Sequence, residues 1–511
     1  MDNTPDNTTK IRFFTATISL LLSLFAVYSD DLINSDGILY IETAEAFLQG
    51  GLAETVKLYN WPFFSICIAF VHQLTQLPLE LSAYVINTLL FVLLTDSLIL
   101  LSKKTLANQQ QLFIAALIML CFITLNDYRS FVIRDIGYWA FCLLGLYRFI
   151  KFIELPSFNN ATFWQLAIIT ATLFRIEGAI LLACLPLYVL FTTPVTTALK
   201  QWLKLNYVVI FSLVIGSVVS MSLTGFAESF GKLATVVNYI EPDKFLANFT
   251  ARSSIVEHQV LNKFSADYSG LILSSGLLVM LFYKLIKALT VGYLGLYIAS
   301  HFKYKLSPPS AYRNLFIYFF LINIGILAIF MFNHFFVSKR YAIVAILTLL
   351  LLLLPRLCQL IQQTWQQKKW SWLTIIALVL TINFIAGMTK SNSKHYVKNT
   401  AIWASQNLPS ESKVLTDDEY INYYYRTHQP EHQLTRLDIG SYNNAYHRYE
   451  FEKITSSYQQ FDYLILVEKR KNKALAAMKA NMQLEPIFSQ QNARGDKASV
   501  YQVISVSKDT N

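Results

Sequence analysis

Long apolar runs separated by short polar joints fill most of the sequence. They fall at 12–29, 81–102, 111–126, 132–152, 162–175, 177–193, 206–224, 275–300, 314–333, 341–358 and 371–388. A helix that crosses a bilayer needs about 20 predominantly apolar residues, so the pattern predicts about eleven spanning helices. The stretch 61–76, WPFFSICIAFVHQLTQ, is shorter, opens on Trp-Pro and carries His72. It reads as a re-entrant or interfacial helix rather than a full span. Beyond residue 389 the pattern changes. NTAIWASQNLP has the spacing of an amphipathic helix, and SKVLTDD, FDYLILVEK and ASVYQVISV read as strands bounded by polar turns. KNKALAAMKANM is helix-rich and separates the last two. The expected architecture is an α-helical polytopic membrane protein, residues 1–389, followed by a small soluble α/β domain, residues 390–511.

Composition supports this division. The chain is 54% hydrophobic and 14% charged, against about 25% charged in soluble domains. The net charge of +10 does not point to nucleic acid, because the cations form no basic stripe with interleaved aromatics. They sit instead in alternate joints: Lys10 and Arg12, Lys103 and Lys104, Arg148 and Lys151, Lys200 and Lys204, Lys303, Lys305 and Arg313, Lys368 and Lys369. If 61–76 does not span, all of these fall on one side, and the positive-inside rule makes that side cytoplasmic. The opposite face then receives loops 30–60, 126–135 and about 225–274, together with the C-terminal domain. The five cysteines, Cys67, Cys121, Cys142, Cys184 and Cys358, all lie in apolar segments and read as small hydrophobes rather than a disulfide framework. No small-residue cleavage pattern follows the first apolar run, so that run is expected to stay as an uncleaved first helix, in a bacterial inner membrane with a cytoplasmic N-terminus and a periplasmic tail.

Four polar clusters interrupt this picture on the expected outer face. Asp36 follows the first span, with Tyr40 at helical spacing; it is either a helix cap or a chemical group. Arg134 and Asp135 begin the fourth span, as an interfacial ion pair or as part of a site. Arg175 and Glu177 break the apolar stretch LFRIEGAIL, and charges at membrane depth are usually paired or functional. Lys339, Arg340 and Tyr341 open a later span with positive charge on the side where the orientation bias disfavours it. Carboxylates and cations gathered on one face suit transfer of a sugar from a lipid phosphate. A carboxylate can serve as general base on an acceptor hydroxyl, and cations can stabilise charge on a departing phosphate. Asp36 and Asp135 could also hold Mg²⁺ or Mn²⁺ through oxygen ligands.

The ordered stretches DGILYIETAEAFLQGG, YNWPFFSICIAFVHQL, RDIGYWAFCLLGLYRF, TLFRIEGAILL and KRYAIVAILTLLLLL resemble the GT-C glycosyltransferases that use polyprenyl-phosphate sugars, of the aminoarabinose transferase and protein O-mannosyltransferase kind. The resemblance covers roughly the first 360 residues and implies a GT-C-like fold. It implies Asp36 as the catalytic carboxylate of the first loop and Asp135 as a second active-site acid. It makes Tyr40, Arg134, Arg175, Glu177, Lys339, Arg340 and Tyr341 substrate-binding, with Arg175 and Arg340 on the donor phosphate. Two positions depart from the family pattern. Gly37 stands where an acidic residue often follows the first Asp, which argues against a protein acceptor, and Ile176 stands where Pro is common. The expected activity is inverting transfer from a polyprenyl-phosphate sugar to a lipid-linked or cell-surface glycan. A lipid or glycan transporter and a non-catalytic envelope-assembly protein are the other readings. The sequence shows no internal repeat of the kind transporters often carry.

Overall fold

The computed structural model describes residues 7–222, 242–303, 311–389, 393–431, 434–436, 454, 457–470, 482 and 484–503. The helical part begins with α1 (Thr8–Tyr28), α2 (Ser35–Leu58), α3 (Phe63–Thr75), α4 (Leu79–Lys103), α5 (Gln109–Leu120) and α6 (Ile123–Asn126). It continues with α7 (Asp135–Glu154), α8 (Phe158–Phe174), α9 (Gly178–Cys184), α10 (Tyr188–Thr192) and α11 (Val195–Ser222). It ends with α12 (Pro242–Gln259), α13 (Ser269–Lys303), α14 (Arg313–His334), α15 (Ile343–Gln366) and α16 (Trp370–Met388). Among the described residues, seven helical segments are long and apolar enough to cross a membrane. The chain is a multi-pass membrane protein.

Two of the expected spans are interrupted, each for a local reason. The run 111–126 is divided between α5 and α6 by Cys121 and Phe122, where Phe122 is extended at ψ 109°. The run 177–193 is divided between α9 and α10 by a 3₁₀ turn at Leu185–Leu187 that contains Pro186. Proline supplies no backbone N–H and clashes with the preceding turn. Helix α3 has 13 residues, about 20 Å at 1.5 Å per residue, well short of a bilayer core of about 30 Å. In the loop expected at about 225–274, residues 242–259 form helix α12, and α13 starts at Ser269; residues 223–241 lie outside the described residues.

Burial separates inner from peripheral helices. Trp139, Cys142, Leu146 and Phe149 of α7 are fully buried, as are Ile343, Leu347, Leu350 and Leu354 of α15. On α1, α13 and α16 large apolar side chains point outward, among them Phe13, Phe25, Val279, Phe282, Leu378 and Ile382. Such apolar outer faces suit lipid and would be anomalous in water.

The chain divides into two compact units, one of Met1–Phe25 with Thr43–Met388 and the other of Ala26–Glu42 with Thr389–Asn511. The second unit is built on a five-stranded sheet of order β2-β1-β3-β5-β4. Its strands are β1 (Val414–Thr416), β2 (Leu434–Arg436), β3 (Tyr463–Glu468), β4 (Pro486–Gln491) and β5 (Lys497–Gln502). Strands β1, β2 and β3 are parallel, whereas β3, β5 and β4 pair antiparallel. Helices α17 (His395–Asn407) and α18 (Glu419–His428) complete the unit. Leu415, Leu464, Leu466 and Tyr501 form its core with Ile454 and Val503. The helix expected at 471–482 lies outside the described residues but for Met482.

Candidate functional site

In the helical unit, the site is assembled from two chain breaks. Helix α8 ends at Phe174 because Arg175 is extended (φ −147°, ψ 130°). The chain then turns through Ile176 and Glu177 into α9, with Gly178 N–H donating to the Arg175 carbonyl at 3.0 Å. A Cβ on Gly178 would lie 2.7 Å from the Thr172 backbone nitrogen, so only glycine allows α9 to start this close to α8. Gly137, in the first turn of α7, faces the Phe174 ring, and a Cβ there would collide with it. The start of α7 is thereby held against the end of α8, and Asp135 is brought to Arg175.

The Arg175 guanidinium is the hub. Nη1 donates to Asp135 Oδ1 and Nη2 to Glu177 Oε1, while Nε donates to Glu177 Oε2 at 3.2 Å. The side chains of Arg175 and Asp135 are 7% and 3% exposed. An uncompensated charge buried to this degree would be very costly, and the two carboxylates answer the guanidinium by a forked pair and a single bond. Its flat faces are used as well. Arg175 Cζ lies 4.4 Å from the Tyr341 ring centroid and 5.8 Å from that of Tyr138.

Tyr341 carries the hub to the next cluster. Arg340 Cζ is 5.0 Å from the same ring, and its Nη2 donates to the Tyr341 hydroxyl at 3.1 Å. Lys339 Nζ pairs with Asp127 Oδ2 at 2.5 Å, which ties the Lys-Arg-Tyr segment to the turn between α6 and α7. Arg134, next to Asp135 in sequence, lies over the Tyr59 ring at 5.3 Å. Trp61 Nε1 donates to the Leu173 carbonyl at 2.7 Å, so the Tyr-Asn-Trp segment abuts the end of α8. A narrow crevice runs along the cluster. Tyr138, Arg175, Glu177 and Tyr341 give it polar surface, and Ile326, Leu327, Phe330 and Ala345 give it an apolar wall.

Of the nine expected site residues, Asp135, Arg175, Glu177, Tyr341 and Arg340 form one connected cluster; Lys339 and Arg134 adjoin it in the chain and contact Asp127 and Tyr59. Asp36 and Tyr40 belong to the other unit, in the opening turns of α2. Asp135 and Glu177 both give oxygens to one guanidinium, and no group of three His, Cys, Asp or Glu among the described residues could hold a metal ion.

Three contributors escaped the sequence reading. Tyr138 falls one turn after Asp135 and looks like an ordinary core aromatic. Asp127 looks like a turn residue. Arg129 is 1% exposed and bonds neutral groups: Ser19 Oγ at 3.0 Å, Ser23 Oγ at 2.9 Å, the Ser19 carbonyl at 2.9 Å and Asn126 Oδ1 at 2.8 Å. Its signal was available, as a lone Arg in NDYRSFVI between apolar runs. It fixes α1 to the turn that precedes α7.

No protein-family model matches the chain, and no curated protein is similar to it. Among solved structures it is similar to the crystal structure of the Archaeoglobus fulgidus oligosaccharyltransferase, solved in complex with zinc and sulfate. The TM-score is 0.50 at 13% identity, over 96% of this chain and 73% of that one. At that identity the likeness is one of fold, and the fold is GT-C-like with a C-terminal α/β domain.

Proposed function

We propose that the protein is an inverting membrane glycosyltransferase that moves a sugar from a polyprenyl-phosphate donor to a lipid-linked or cell-surface glycan. The observation that carries this reading is the buried Arg175, held between Asp135 and Glu177 beside a cleft with one polar and one apolar side. A guanidinium has five N–H donors, and the two carboxylates take three of them. Two remain by this arithmetic, in the fork geometry that suits a phosphate. The apolar wall suits a lipid tail.

In this reading Arg175 and Arg340 balance charge on the departing polyprenyl phosphate. Asp135 and Glu177 hold Arg175 in one rotamer, so that the stabilising charge needs no rearrangement when the bond breaks. Lys339, Arg134 and Tyr341 shape the same patch. Asp36 removes the proton of the acceptor hydroxyl as it attacks the anomeric carbon, and Tyr40, one turn further along α2, contacts substrate. The reaction face is extracytoplasmic, and the membrane a bacterial inner membrane. The other assigned partners are the membrane lipids; no nucleic acid is involved.

The test compares envelope glycolipids and glycans by mass spectrometry. The strains lack the gene, or carry the wild type or Asp36→Asn at matched membrane levels. One sugar mass should vanish in the deletion, return with the wild type and stay absent with Asp36→Asn. Full restoration by Asp36→Asn would remove the assignment of the base and bring the transport and assembly readings forward.

A further inference from the structure

The segment that carries Asp36 is built into the C-terminal unit. Asp31 Oδ2 accepts the Lys394 backbone N–H at 2.6 Å, and its Oδ1 meets His395 Nε2 at 2.6 Å, at the start of α17. Ile33 is 1% exposed, and its backbone N–H donates to the Tyr424 hydroxyl at 3.1 Å. The Tyr420 hydroxyl stands beside the Ser35 backbone. Tyr420 and Tyr424 are four residues apart on α18 and so share one helix face. Each ring is covered by a lysine, Lys394 just before α17 and Lys398 in its first turn: Lys394 Nζ lies 5.2 Å from the Tyr420 centroid and Lys398 Nζ 4.7 Å from that of Tyr424. Asp418 caps α18 by accepting the Tyr420 and Ile421 N–H groups at 2.9 and 3.1 Å. Between Ile33 and Ser35, the Asn34 carbonyl accepts from Gly37 and Ile38 at 2.8 and 3.2 Å and starts α2. Asp36 sits in that first turn.

We infer that Tyr420 and Tyr424 are positioning residues for Asp36, and that the C-terminal domain therefore serves to fix the reactive loop. This rests on the reading of Asp36 as general base. On a capped helix the Tyr424 phenol oxygen accepts the Ile33 N–H and the Tyr420 phenol stands beside Ser35, which brackets the turn that launches α2. A base works only within hydrogen-bond reach, about 2.6–3.2 Å, and a misplacement of about 1 Å costs on the order of 100-fold. Replacing each tyrosine by phenylalanine keeps the ring and its lysine contact and removes the hydroxyl. The Ile33 N–H then stays buried without a partner, which favours release of the segment.

The experiment uses the full chain in detergent and the same variants in cells. Hydrogen exchange followed by mass spectrometry reads peptides covering 30–42 and 460–468 in the wild type and in Tyr420→Phe/Tyr424→Phe. Envelope sugar transfer is measured at matched membrane levels, with Asp36→Asn alongside. Exchange at 33–38 should rise about tenfold or more, as expected when a protecting bond is lost. The sheet peptide should keep its protection, and transfer should fall about tenfold or more. A merely structural role predicts intact sheet protection with undiminished transfer. Unchanged exchange at 33–38 would overturn the anchoring. Faster exchange with full transfer would overturn the positioning role. Full transfer by Asp36→Asn would also overturn the proposal, and it is recognisable as loss of the base assignment because it appears in that variant and leaves the exchange result unaffected.

Discussion

Asp135 and Arg175, 40 residues apart in sequence, form an ion pair with both side chains almost wholly removed from solvent. The pair closes the first turn of α7 onto the end of α8, and Glu177 completes it from the following turn. A buried pair of this kind is weak evidence of net stabilisation, since desolvation offsets much of the attraction, but breaking it from one side leaves a stranded charge.

Removing the cation alone should therefore cost more than removing it together with its carboxylates. Arg175→Gln is expected to destabilise the chain by about 3–5 kcal/mol, because Asp135 and Glu177 are left without their cation. Asp135→Asn should cost less, since Glu177 still holds Arg175 through two bonds. Arg175→Met combined with Asp135→Leu and Glu177→Leu should recover much of the loss. Thermal unfolding in detergent separates these orders. A triple variant no more stable than Arg175→Gln would show that the stranded charge is not what makes the single change costly.

Tyr341 lies between two guanidiniums, 4.4 Å from Arg175 and 5.0 Å from Arg340. The ring, rather than the hydroxyl, carries most of that interaction. Tyr341→Phe should stay within about 1 kcal/mol of the wild type, losing one hydrogen bond to Arg340. Tyr341→Leu should lose about 1–4 kcal/mol, as two partly desolvated cation–π contacts disappear. Equal melting points for the two variants would refute the assignment.

The sequence made the long elements and most of the charged cluster legible, because both obey local rules. Apolar length marks spans, and a charge inside an apolar run stands out without any knowledge of its partner. The pairing itself was not legible. Nothing local says that Asp135 reaches Arg175 rather than its neighbour Arg134, since that depends on Gly137 and Gly178 allowing α7 and α9 to crowd α8. Arg129 was passed over for a related reason: its acceptors are neutral oxygens on α1 and the α6 turn, which carry no sequence signature as partners. In the C-terminal unit the strands with buried Val, Leu and Ile were readable. The edge strands Leu434–Arg436 and Pro486–Gln491 were not, one being three residues long and the other opening on Pro with mostly exposed side chains, both usual features of edges. The anchoring of residues 31–35 on α17 and α18 joins segments about 390 residues apart, which no periodicity reveals.

The close approach at Gly178 gives a sharp contrast between two glycines. Gly178→Ala puts a methyl group 2.7 Å from backbone nitrogen, where no side chain can move aside. It should cost about 1–3 kcal/mol. Gly276→Ala, on α13, meets nothing within 4 Å and should be neutral or stabilising by up to about 1 kcal/mol. Melting temperatures of the two variants in detergent check the pair. A harmless Gly178→Ala would mean that α9 can shift away from α8 at no expense.

The stability of the C-terminal domain depends on pH through a buried carboxyl. Burial, and then the neighbouring Asp418 charge, push the Asp417 carboxyl up to about 7, although the Val467 N–H pulls the other way. Its ordinary value is 3.8, so between about 4 and 7 the folded domain holds a proton that the unfolded chain has released. Stability then falls as pH rises through that window and levels off above it. Asp418, also raised by burial, acts in the same direction. The C-terminal domain should accordingly melt at a higher temperature near pH 5.5 than near pH 8, as read by a fluorophore placed on that domain of the full chain. Asp417→Asn removes the titrating group and should flatten the difference while leaving the cap of α18 by Asp418 intact. A wild-type domain that gains stability from pH 5.5 to 8 would reverse the sign and require that carboxylates held below their ordinary range dominate this domain instead.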